Sequence, residues 1–159
     1  MSIDDTMLAV AGIGAAGPVA EAVTLRSNIF EMTAAAEETV LRPKDAGRWP
    51  HALRAALAAR IAALNGETDL AARYIADAGE FASLGDPNRD GVAEGLGAVI
   101  AFMDKVAAKT RDVTAADITT LQKFGVADAD IVRLCELNAF LTYQLRVIAG
   151  LRLMAEVKS

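Results

Sequence analysis

The sequence predicts an all-α fold, a helix bundle with a long C-terminal helix, and that expectation rests on two observations. Hydrophobic residues make up 53% of the chain and aromatics only 5%, so the apolar content is carried mainly by alanine, leucine, valine and isoleucine, a mixture suited to closely packed helices. Apolar residues also recur at helical spacing in segment after segment, without the β-branched runs of a parallel sheet. A chain of 159 residues fits one domain with a real core.

The elements follow in order. "IDDTMLAVAG" is a short helix with acids in its first turn, stopped by glycines. Gly12, Gly14 and Gly17 have the G-x-G-x-x-G spacing of a dinucleotide-binding turn, which requires a preceding strand and an acid roughly 20 residues on. Glu31, Glu37 and Glu38 lie near that distance but within a helical segment, so the glycines read as a helix break and no cofactor is expected. Pro18 opens a helix running to about Arg42, bent near Ser27 and Asn28. "RPKDAGRWP" is a loop. From Pro50 to Leu64 a helix places Leu53, Leu57, Ile61 and Leu64 on one stripe, and Asn65 with Gly66 ends it.

A second helix is expected from about Glu67 to Phe81, followed by turns in "ASLGDPNRDG" and renewed helical periodicity in "VAEGLGAVIAFMDKVAAKT". Thr114 and Asp117 have capping-box spacing and open a short helix that stops at Gly125. The last helix, Asp128 to Glu156, carries Ile131, Leu134, Leu137, Leu141, Leu145, Ile148 and Leu151, with Phe140, Val147 and Leu153 on other faces. A helix so broadly apolar needs cover on several sides, and a subunit interface is expected to supply part of it. Residues 1–49 read as an N-terminal helical extension and 50–159 as the core, within one compact domain.

A net charge of −5 with interspersed signs offers no basic stripe for nucleic acid and no polybasic segment for a membrane. The uncharged run from Thr6 to Ala20 is too short and too broken by Gly and Pro to span a bilayer, and the acidic "MSIDD" before it is unlike a signal peptide, which points to a cytoplasmic protein. The single cysteine, Cys135, has no partner for a disulfide and no cationic neighbour in sequence to favour thiolate, so it reads as a buried structural thiol. One histidine and no H-E-x-x-H or cysteine cluster predict no metal site.

The segments "ALAARIAALNGETDLAARY" and "VTAADITTLQKFGVADADIVRLCELNAFLTYQLRVIAGL" resemble the carboxymuconolactone decarboxylase and AhpD-like alkylhydroperoxidase superfamily over roughly Pro50 to Leu151. The shared pattern is the Asn-Gly turn at Asn65 and Gly66, then Thr114, Asp117, Leu121, Gly125, Asp128 and Ile131, and the final Phe140, Tyr143 and Arg146. The resemblance implies an all-α oligomer, a trimer, dimer or hexamer of this chain or an assembly with a related subunit. It also implies a pocket for a small organic ligand. In the family the helix after the turn begins with C-x-x-C and a histidine follows four residues later. Those positions hold Glu67, Leu70 and Tyr74 here, the upstream relay carboxylate falls on Ala55, and Asp69 takes a further relay position. Glutamate and leucine can neither attack peroxide nor resolve a sulfenic acid, so thiol peroxidase chemistry is not expected.

Three functions follow, in order of preference: a ligand-binding or scaffold oligomer, a cysteine-independent decarboxylase-type enzyme acting on a small organic acid or lactone, and hydroperoxide reduction through Cys135. Glu67, Leu70 and Tyr74 at i, i+3 and i+7 share one helix face, where an acid and a phenol would perform proton transfer if burial raised the acid's pKa. The structural alternative is a first-turn acid on the helix dipole, with Asp69 and Arg73 as an i, i+4 pair. His51, beside Trp49 and Pro50, is either part of the helix start or a third catalytic group. Trp49 is a packing anchor or pocket wall. Arg146, within an apolar helix, should form a structural ion pair, or else it and Tyr143 orient a ligand.

Overall fold

The computed structural model describes residues 5–157, so Ile3 and Asp4, assigned above to the first helix, lie outside the described residues. It is an all-α bundle with a long C-terminal helix. The Asp5 carboxylate accepts from the Met7 and Leu8 amides at 2.9 and 3.1 Å and caps α1 (Thr6–Ala11), which ends at Gly12 in the left-handed region. Gly17 and then Pro18 open α2 (Pro18–Thr24). The glycine spacing is therefore a helix break, and no strand occurs among the described residues. The next break falls at Leu25 and Arg26, just ahead of α3 (Ser27–Leu41).

Two helices are shorter than their sequence pattern. After α4 (His51–Leu64), α5 (Thr68–Ile75) stops six residues before Phe81, and the chain continues as a 3-10 turn over Gly79–Gly85. That turn lets Leu84 reach the core and lays Gly85 against Ile75 and Ala59, where a side chain would collide with Ile75. Likewise α6 (Gly97–Ala108) begins five residues after Val92, because Gly91 and Gly95 hold the intervening chain in turns. Asp117 in α7 (Ala115–Lys123) accepts from the Thr114 amide at 2.8 Å and from Lys105 at 2.8 Å, which ties α7 to α6. The last helix, α8, spans Asp128–Glu156, the bounds its sequence pattern predicts.

The centre of the molecule is α4. Every residue from Leu53 to Ala62 is buried, rather than the single leucine stripe read from the sequence. Alanines at 55, 56, 58, 59 and 62 let α3, α5, the 3-10 turn, α6 and α8 all pack against it. Two arginines are enclosed with them. Arg54 donates to the carbonyls of Trp49, Val40 and Ala46 at 2.8–2.9 Å. Arg60 donates to those of Leu84, Asp86 and Pro87 and forms a two-point ion pair with Asp104 at 2.6 and 2.8 Å. Met7 and Leu41 join the same core, while Leu8, Val23 and Leu151 make a small satellite cluster, so residues 5–49 pack as part of one body with the rest. No helix among the described residues is long and apolar enough to cross a membrane.

Candidate functional site

Where the ends of α3, α4 and α5 converge, Leu41, Arg42, His51, Ala55, Tyr74 and Asp77 line a cavity of about 380 Å3. Tyr74 lines it from α5. It is 2% exposed, and its hydroxyl donates to Gln144 Oε1 at 2.7 Å. Gln144 Nε2 in turn donates to Glu37 Oε2 at 3.1 Å, and Glu37 Oε1 accepts from Thr6 Oγ1 at 2.9 Å. Four side chains from α5, α8, α3 and α1 thus form one continuous line of hydrogen bonds.

Burial sets the protonation of this line. It raises the Glu37 pKa above the ordinary carboxyl value, with the Thr6 hydrogen bond and the charge of Arg42 pulling the other way. Burial, reinforced by Glu37, pushes the Tyr74 phenol far above its usual range, so Tyr74 stays protonated at any physiological pH. With its hydrogen committed to Gln144, Tyr74 can offer the cavity only its oxygen lone pairs.

The cavity mouth is charged. Arg42 binds Glu38 through Nε and Nη2 at 2.9 and 2.6 Å, which leaves Nη1, 4.0 Å from Asp77, directed to other partners. His51 is the exposed first residue of α4, and its Nε2 lies 2.9 Å from the Pro43 carbonyl. A carbonyl only accepts, so the hydrogen in this contact is assigned to Nε2. His51 therefore belongs both to the helix start and to the cavity.

The structure unites His51 and Tyr74 but not Glu67. Glu67 precedes α5 with non-helical dihedrals, which takes it off the face that helical spacing assigned to it. Its carboxylate binds Arg152 at 2.5 Å, and Arg152 also donates to the Val10 carbonyl, joining α8 to α1. Asp69 approaches Arg152 at 4.0 Å rather than pairing with Arg73. Leu70 is fully buried core. Trp49 is a packing anchor, 1% exposed, donating from Nε1 to the Asp130 carbonyl at 2.9 Å.

Tyr143 and Arg146 line a different space, a groove of about 530 Å3 along the outer side of α8 that also includes Val106, Thr110, Cys135 and Ala139. The Tyr143 hydroxyl lies 3.0 Å from Thr33 Oγ1. The ion pair expected of Arg146 is not found among the described residues, because the side chain points away from the core. Cys135 is exposed, which corrects the expectation of a buried thiol: it sits on the opposite side of α8 from Leu137 and Leu141. Partial burial and the neighbouring Glu136 raise its pKa and disfavour thiolate.

Sequence reasoning missed Arg42, Asp77, Gln144 and the role of Glu37. Only Gln144 left a readable trace. It shares the inward stripe of α8 with Leu137, Leu141 and Ile148, and an amide there requires buried partners. No group of three or more His, Cys, Asp or Glu among the described residues could hold a metal ion. Comparison of the chain with protein-family models, curated proteins and solved structures yields no match.

Proposed function

We propose that the protein is a divergent relative of the carboxymuconolactone decarboxylase and AhpD-like proteins that lacks thiol peroxidase chemistry and binds a small organic acid in the cavity between α3, α4 and α5. The observation that carries this reading is the pairing of a buried, oriented phenol with a charged mouth. Tyr74 stands behind a space of about 380 Å3 edged by Arg42, His51 and Asp77, a volume within the range of small-molecule sites. Two positions that the resemblance puts in the family pocket, those of Ala55 and Tyr74, line it together.

The available groups define a ligand chemistry. Arg42 Nη1 suits a carboxylate, while the Tyr74 lone pairs and the Asp77 carboxylate suit a hydroxyl or other donor, so a hydroxy acid of a few carbons complements the site. Binding is favoured over catalysis because Glu67 is held away by Arg152, and because the link from Glu37 to Tyr74 runs through an amide. A glutamine fixes orientation but is not a titrating proton carrier. Hydroperoxide reduction finds no support at Cys135, whose thiolate is disfavoured and which lies outside this cavity.

The only histidine in the chain supplies the test. Small hydroxy acids, dicarboxylates and lactones are titrated while the imidazole signals of His51 are followed by NMR. A saturable shift that disappears in Arg42→Ala and weakens in Tyr74→Phe is the expected result. A folded protein whose His51 signals ignore every compound at millimolar concentration would overturn the reading.

A further inference from the structure

A second surface stands apart from the cavity. Along its outward side α8 presents Val132, Cys135, Ala139, Tyr143, Gly150 and Leu153, and its large apolar groups are left uncovered: Val132 is 54% exposed, Tyr143 40% and Leu153 63%. Only two charged residues interrupt this face between Val132 and Met154, Glu136 and Arg146, and neither has an ion-pair partner among the described residues.

We infer that this face of α8 pairs with the same face of a second copy of the chain, antiparallel across a two-fold axis at the level of Leu141. Charge complementarity selects the arrangement. Glu136 and Arg146 sit five residues on either side of Leu141, or about 7.5 Å along the helix in each direction. A two-fold contact sets residue i against j and j against i, so this axis brings each Glu136 to the partner's Arg146 twice over. The same operation sets Ala139 against the partner's Tyr143 and Val132 against the partner's Gly150. Each contact then joins a large residue to a small one, which lets the helices approach closely. A parallel pairing would instead oppose Glu136 to itself and Arg146 to itself, and like charges in contact repel.

Light scattering of the full chain at micromolar concentration tests the pairing, with circular dichroism to confirm that each variant is helical. The wild type is expected at twice the monomer mass. Arg146→Glu and Glu136→Arg alone should each weaken association at least about tenfold, and the double exchange should restore it. Alkylation of Cys135 gives an independent readout, slow in the wild type and the double variant and fast in the single variants. A monomeric wild type, a trimer, a dimer indifferent to the single reversals, or a double variant that fails to recover would each overturn the inference. The His51 signals report the cavity separately, so the two proposals fail independently.

Discussion

α4 and α8 invert what their sequences suggest. The last helix holds the larger apolar side chains, yet Val132, Tyr143, Leu153 and Met154 lie exposed on it. The fourth holds alanines and two arginines, yet it is closed on all sides between Leu53 and Ala62. Enclosure depends on how many neighbours can come close, and small side chains permit more of them than large ones. The buried arginines fit the same logic, because helices and turns crowding α4 bring carbonyl oxygens within reach of both guanidinium groups.

The largest expected effect probes that enclosure directly. Arg60→Ala strips Asp104 and three carbonyls of their donor and should cost about 3 kcal/mol, the lower end for a broken buried pair, because Asp104 is 31% exposed and regains water. Urea denaturation measures it, and a loss below about 1 kcal/mol would mean that α4 is not enclosed. The comparison sharpens when one change is made in both helices. Ala58→Leu in α4 should cost about 1–3 kcal/mol by overpacking, whereas Ala139→Leu on exposed α8, assayed under dilute conditions, should stay within about 0.5 kcal/mol of the wild type.

The line from Thr6 to Tyr74 runs through α8 but not α4 and gives a pH signature. Because the folded state raises the Glu37 pKa, the native protein holds this proton after the unfolded chain has released it, so stability falls as pH rises from about the ordinary value of 4.5 to the raised one. Glu37→Gln should flatten that slope when unfolding is measured across pH 4.5 to 7, while a slope unchanged in the variant would remove Glu37 as its source. Cys135→Ser, assayed under the same dilute conditions, should have the smallest effect, within about 0.5 kcal/mol of the wild type, because the thiol is exposed on the single chain.

Local signals account for what the sequence reveals. The bounds of α8, the Asn65 and Gly66 stop, the Pro18 start and the Asp117 contact to Thr114 depend on neighbours within a few residues. The early end of α5 does not, since it follows from docking Leu84 and Gly85 onto α4. The candidate site is less legible for the same reason. His51 and Tyr74 stand out by residue type and helical position, but Arg42 and Asp77 resemble ordinary surface charges until α3 and α5 converge. Glu67 shows the opposite failure, a residue given a helical face by counting although the helix begins one position later.

Arg54 gives the cavity its mechanical character. By gripping the carbonyls of Val40, Ala46 and Trp49 it closes the chain from residue 40 to 54 into a hydrogen-bonded ring, and Arg42 and His51 ride on that ring. The conformational freedom of this segment is lost when the protein folds and need not be lost again when a ligand arrives. Such a rim discriminates by shape rather than adapting to its guest, so affinity should drop sharply once a ligand outgrows the space in front of Tyr74.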